Sequence, residues 1–252
     1  MSGGERARRA GAAGERRLAR EVARLMPGAR VFTNVYVPRP RGAAVRDSEV
    51  DVVAVCADGV FALEMKNYAG RVTGSARERS WTQTTPGAVR LFQNPVSQNE
   101  GHMEAVAQAL GLSRALVHGA VVFADGCDIS GVDRLDSEVV RLRGLAGALE
   151  RLSDGSRLAL SEDEVGQVAA RLAGWSGEDE ARRERHIREV EAATSGKGRE
   201  EHGRHALAAL AAAAVCALAA WLWCSSAGID RSTCAAAAVC AAAAAAAVCV
   251  SA

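Results

Sequence analysis

The spacing of apolar residues divides the chain into a folded N-terminal part and a C-terminal part of different character. Gly14 to Met26 carries Leu18, Val22 and Leu25 at helical spacing and stops at Pro27-Gly28, which predicts an amphipathic helix. Arg30 to Val37 is a β-rich run closed by Pro38. Val50 to Cys56 and Val60 to Lys66 flank Asp58-Gly59, a pair that signals a tight hairpin. Short strand candidates follow around Val72 and over Val89 to Phe92. Pro95 to Leu110 reads as a helix, with the proline in its permitted first-turn place. Val117 to Phe123 is a continuous apolar run suited to a buried strand, and Glu138 to Leu142 predicts another. Leu145 to Leu152 and Ser161 to Leu172 predict helices, the second opening on a capping-box pattern, Ser161-Glu162-Asp163-Glu164. Strands alternating with helices predict an α/β fold, with a central mixed sheet between the Gly14 and Pro95 helices.

The hairpin holds the informative chemistry. A two-residue turn at Asp58-Gly59 would set Asp51 opposite Lys66 and Val53 opposite Glu64. Alternation then gives one face with Asp51, Val53, Val55, Ala62, Glu64 and Lys66, and a wholly apolar face with Val52, Ala54, Cys56, Phe61, Leu63 and Met65. Two carboxylates and an ammonium thus gather at the end of the hairpin far from its turn. Neighbouring carboxylates repel unless a cation joins them, and hard oxygen donors suit Mg²⁺ or Mn²⁺. A nearby lysine can orient a water or stabilise charge on a phosphate. Spacing alone equally fits an ordinary cross-strand ion pair between Asp51 and Lys66.

Ser176 to Arg204 is dense in Glu and Arg and reads as a solvated helix or linker. Ala206 to Cys224 is nineteen residues without a charge or proline, long enough to cross a bilayer. Cys234 to Ala252 is again uncharged but nearly all alanine, which is close to neutral for insertion. The polar, arginine-rich start holds no apolar run that could act as a signal peptide, so the domain is expected in the cytoplasm. Arg188, Lys197, Arg199 and Arg204 before the first span support that orientation, against Arg231 beside Asp230 after it.

The charge balance, 31 Lys and Arg against 30 Asp and Glu, announces no global nucleic-acid binder. Arg39, Arg41 and Arg46 do cluster just before Asp51 and could line a phosphate track. Cysteine forms no CxxC pair and no cluster at metal-ligand spacing, so small apolar thiols in a reducing compartment are the reading preferred to a disulfide framework.

Asp51 followed by Glu64-x-Lys66 at a strand end resembles the D…(E/D)-x-K core of the PD-(D/E)XK nuclease superfamily. Further motifs resemble the nuclease-related (NERD) family. They are Gly11-Ala12-Ala13-Gly14-Glu15, Glu49-Val50-Asp51, Glu64-Met65-Lys66-Asn67-Tyr68-Ala69-Gly70, Trp81, and Asn94-Pro95-Val96-Ser97-Gln98. They stand in family order from about residue 11 to 125. Val50 replaces the proline of the PD dipeptide.

This resemblance implies a restriction-endonuclease-like sheet and Mg²⁺- or Mn²⁺-dependent hydrolysis of DNA. Asp51, Glu64 and the Met65 carbonyl would hold the metal, Lys66 would position water, and Glu15 would assist from the first helix. Glu15 shares the stripe of Leu18 and Val22 and so should point inward, although an exposed glutamate near a helix start is also compatible with the sequence. Gln98 would support the site or a phosphate; as a lone residue it could equally be a cap or a surface glutamine. His102 is read as polar surface. The rival expectation is a non-catalytic interaction module that keeps the fold, with the tail placing it at the membrane.

Overall fold

The computed structural model describes residues 3–134, 137–154, 158–177 and 181–193. The chain divides into two compact units, 1–187 and 188–252; of the second, only 188–193 are described. Among the described residues no helix is long and apolar enough to cross a membrane. The segments expected to span, 206–224 and 234–252, lie outside the described residues.

The first unit is an α/β fold with two mixed sheets. Helix α1 (Gly3–Leu25) precedes β1 (Arg30–Pro38), β2 (Asp47–Cys56) and β3 (Gly59–Lys66). Then come β4 (Gly70–Ser75), β5 (Ser80–Thr85), β6 (Ala88–Gln93) and α2 (Pro95–Leu110). β7 (Val117–Phe123), β8 (Cys127–Asp133), β9 (Glu138–Arg141), α3 (Leu145–Asp154) and α4 (Glu162–Trp175) complete it. The central sheet has the order β1-β2-β3-β7-β9, antiparallel through β3 and parallel beyond it. A second sheet has the order β6-β5-β4-β8. Sequence patterning had pointed to one central sheet. It missed β5 and β8, whose Thr-, Ser- and Gly-containing sequences carry little apolar alternation.

Both faces of the central sheet are covered. Val52, Ala54, Phe61, Leu63 and Met65 pack with Leu18 and Val22 of α1 and with Leu145 and Leu149 of α3. Val53, Val55, Val60 and Ala62 pack with Val106 and Leu110 of α2 and Leu172 of α4. This is the partition expected from alternation, although the register differs by two residues. The observed pairs are Cys56↔Gly59, Val55↔Val60, Ala54↔Phe61 and Val52↔Leu63, so the loop residues are Ala57 and Asp58 rather than Asp58 and Gly59. An even shift leaves every side chain on its face. Gly59 belongs to the strand for a steric reason: its φ is 128°, and a Cβ there would stand 2.4 Å from the Leu116 carbonyl oxygen.

Two further boundaries changed, and one expected helix start formed as read. Helix α1 starts at Gly3, drawing much of the polar N-terminal stretch into the helix. The capping box at Ser161 forms, with Glu164 returning to the Ser161 amide at 2.8 Å. Within the charged segment read as a solvated helix or linker, 181–187 is helical and belongs to the first unit. Arg182 lies over the Tyr36 ring at 5.4 Å and pairs with Asp47 at 3.6 Å, while His186 meets Tyr36 edge to face.

Candidate active site

At its open end, the β2–β3 ladder gives way to side-chain chemistry. The hydrogen-bonded pairs of this hairpin alternate from Cys56/Gly59, which would make Val50/Met65 the next after Val52/Leu63. The Met65 amide instead donates to Asp51 Oδ2 at 2.7 Å. That bond pins the Asp51 carboxylate beside β3, level with Glu64 rather than with Lys66 as the expected register implied.

Glu64 is 3% exposed. Lys66 Nζ donates to Glu64 Oε1 at 2.6 Å and to Gln98 Oε1 at 3.0 Å. Burial alone would raise the Glu64 pKa, but the Lys66 charge and the nearby His102 overcome it and hold the carboxyl at about 2. Asp51 moves the other way. Burial, then the charges of Glu64 and Glu15, push its carboxyl well above the usual range despite the Met65 amide. Burial disfavours the Lys66 ammonium, but Glu64 and Asp51 outweigh it and raise the pKa, so Lys66 stays charged.

Glu15 stands half-buried on α1, its carboxyl raised by burial and by the charges of Glu49 and Glu64. Gly14 allows that approach, because a Cβ there would meet Asn67 Cβ at 3.0 Å and Met65 Cε at 3.2 Å. The Asn67 side chain then donates to the Ala10 carbonyl at 2.6 Å, tying the end of β3 to the helix.

Helix α2 brings its residues to the site through a polar staple. Asn94 Oδ1 caps the Val96 amide at 2.9 Å, while its Nδ2 donates to the carbonyls of Ser75, Ala76 and Glu78 in the second sheet's connections. Trp81 is fully buried, donates to the Ser75 carbonyl at 2.8 Å and stacks on Phe123. The Asn94-to-Gln98 motif and Trp81 therefore hold the start of α2, and with it Gln98 one turn in.

His102 corrects the sequence reading. It is 7% exposed, with Nδ1 2.7 Å from Ser48 Oγ and Nε2 3.4 Å from Glu64 Oε2. The second contact is close enough for charge interaction but poorly directed as a hydrogen bond, and both atoms are buried without a hydrogen-bond partner. The available signal was its spacing, four residues after Gln98 on one helix face. Glu49 was quoted in a motif without a role. It accepts the Tyr36 hydroxyl at 2.9 Å and lies 3.6 Å from His186 Nε2. Arg39, Arg41 and Arg46 are exposed on the β1–β2 connection.

Among the described residues no three His, Cys, Asp or Glu side chains form a ready-made ion cage. The donors nonetheless fit a hard cation. A buried, unsatisfied Glu64 oxygen and an Asp51 carboxyl pushed up by burial and by the Glu64 and Glu15 charges would both be relieved by positive charge between them.

An uncharacterized protein of Bacillus anthracis is 29% identical over 161 residues, which cover 63% of this chain and 73% of that protein. No solved structure matches the chain. Residues 10–124 match the model of the nuclease-related domain, and the matched span contains Glu15, Asp51, Glu64, Lys66 and Gln98. This chain therefore carries a NERD domain, a member of the PD-(D/E)XK-like nuclease superfamily.

Proposed function

We propose that the chain hydrolyses phosphodiester bonds in DNA with Mg²⁺ or Mn²⁺, from a domain tethered to the cytoplasmic face of a membrane. The observation that carries the reading is the meeting of two acids at one end of the hairpin: Glu64, bound by Lys66 at 2.6 Å, and Asp51, held beside β3 by the Met65 amide at 2.7 Å and pushed up by burial and then by the Glu64 and Glu15 charges. Asp51 and Glu64, with the Met65 carbonyl, would hold the cation. When bound, it would supply the Lewis acidity that activates water and offsets phosphoryl charge. Lys66 is an ammonium and so accepts no proton; it orients water and stabilises charge on the phosphoryl oxygens. Gln98 fixes the direction of that ammonium. Glu15, easier to protonate than an ordinary glutamate, is suited to proton exchange with water at the site.

The test is incubation of the detergent-purified full chain with supercoiled plasmid, with and without each metal. Nicking or linearisation that needs metal, and that Asp51→Ala, Glu64→Ala and Lys66→Ala each abolish in folded protein, is the expected result. Wild-type protein inert on single- and double-stranded DNA and RNA with both metals favours the rival reading, a non-catalytic tethered module. The near-neutral charge balance supports that rival.

The tether rests on 206–224, with 234–252 as a second span and the bilayer as partner. A tag placed after Ala252 separates the topologies in intact cells: outward labelling means one span, protection means two. Release of the protein from membranes by high salt alone would end the tether.

A further inference from the structure

A chain of polar contacts runs from the β1–β2 connection to Glu64. Arg39 donates to Ser48 Oγ at 3.4 Å, Ser48 Oγ lies 2.7 Å from His102 Nδ1, and His102 Nε2 lies 3.4 Å from Glu64 Oε2. Ser48, His102 and Glu64 are all buried. A guanidinium only donates, so Ser48 Oγ accepts from Arg39 and its own proton can go to Nδ1. That direction leaves Nδ1 as an acceptor and places the ring proton on Nε2, facing Glu64.

The two oxygens of Glu64 therefore meet different neighbours. Lys66 takes Oε1, and His102 stands at Oε2. A single hydrogen bond, from Lys66, would let the carboxylate swing about its last bond; the His102 ring at 3.4 Å, close to Oε2 but not aligned as a hydrogen bond, limits that swing. Both contacts are governed from one face of α2, where Gln98 holds Lys66 and His102, one turn on, addresses Glu64 directly.

We propose that His102, oriented by Ser48, is a positioning residue that sets the plane of the Glu64 carboxylate and so its presentation to the divalent cation. The inference rests on the metal-dependent reading above and names a residue outside the acids, lysine and glutamine of that reading. Groups that orient a metal-binding side chain commonly change affinity or activity by about 10- to 100-fold when removed.

The test measures Mn²⁺ binding by calorimetry, and plasmid cleavage, on the full chain carrying His102→Ala, His102→Asn or His102→Gln. Asparagine can keep the contact to Ser48 but falls short of Glu64. Glutamine can place an amide donor where Nε2 stands. His102→Ala and His102→Asn should weaken Mn²⁺ binding about tenfold or more, while His102→Gln should stay within about threefold of wild type. A purely structural role would lower melting temperatures and leave Mn²⁺ affinity unchanged; that outcome, or equal losses in the Asn and Gln variants, overturns the proposal. Should His102→Ala not fold, the Asn and Gln pair carries the comparison. Wild-type protein that binds no Mn²⁺ ends both readings. Mn²⁺ binding that depends on His102, in protein that cleaves no nucleic acid, upholds the positioning role and removes the nuclease.

Discussion

The two ends of the β2–β3 hairpin are made by the same strands and differ in what they bury. Near the turn, Ala54, Val55, Val60 and Phe61 are fully buried between helices on both faces. There, removing apolar area from water is the dominant favourable term. At the open end the same sheet buries Glu64, holds Lys66 half-buried, brings Asp51 beside them, and leaves Glu64 Oε2 and His102 Nε2 without directed partners. Desolvated charge and unmade hydrogen bonds oppose folding. A hairpin can carry such an end because the other end secures the register. Stability and chemistry are thus separated along one pair of strands by about four residues of strand length.

Four measurements can break or sharpen that contrast. Phe61→Ala, at the apolar end, should cost about 3–5 kcal/mol in a denaturant titration, because its fully buried ring leaves a cavity. A cost below about 1 kcal/mol would mean that this end does not secure the hairpin. Glu64→Gln should cost about 3 kcal/mol, since it strands the half-buried Lys66 ammonium beside a neutral amide.

Asp51→Asn should act in the opposite sense and stabilise the metal-free protein by about 1 kcal/mol. The sign follows from its raised pKa. A folded-state pKa above the unfolded one means that the folded protein binds more protons between the two values, so wild-type stability falls as pH rises through that window. The stability gap between Asp51→Asn and wild type should therefore widen with rising pH, starting from about pH 4, and Mg²⁺ should narrow it at neutral pH. A gap that stays flat with pH would show that Asp51 is not strained. The smallest effect is expected for Arg182→Ala, which removes a partly exposed pair with Asp47 and the contact over Tyr36. The expected loss is under about 1 kcal/mol. A larger loss in denaturation midpoint would make 181–187 a principal support of the open end.

Legibility varied with how local the determining physics was. Helix α2 was readable to the residue, because Pro95 opens it and Gly111, left-handed at φ 71°, closes it. The ends of β7 were equally legible, although His118 and Gly119 within it are half-buried and only Val117 and Ala120 to Phe123 are buried. Two strands of the second sheet, β5 and β8, were not; Thr-rich β5 gains its place from Trp81 stacking on Phe123, a contact across forty-two positions of sequence (123 − 81). His102 was misread for a related reason. Its neighbours Ser48 and Glu64 lie on other elements, so apart from its spacing from Gln98 nothing near it in the chain marks it as buried.

By itself the sequence determined which side chains share a face of the hairpin, because alternation along a strand survives any even change of register. It also determined the family motifs and their order. Only the tertiary structure decided the pairing itself, set by the close approach of Gly59 to the Leu116 carbonyl, and with it that Asp51 stands level with Glu64. It alone decided that Glu64 is held by Lys66 and faced by His102, and that 181–187 lies against Tyr36 and Asp47. The reason is the range of the forces concerned. Strand periodicity is written into consecutive residues, whereas burial, steric exclusion and charge act between groups that only folding brings within a few ångströms.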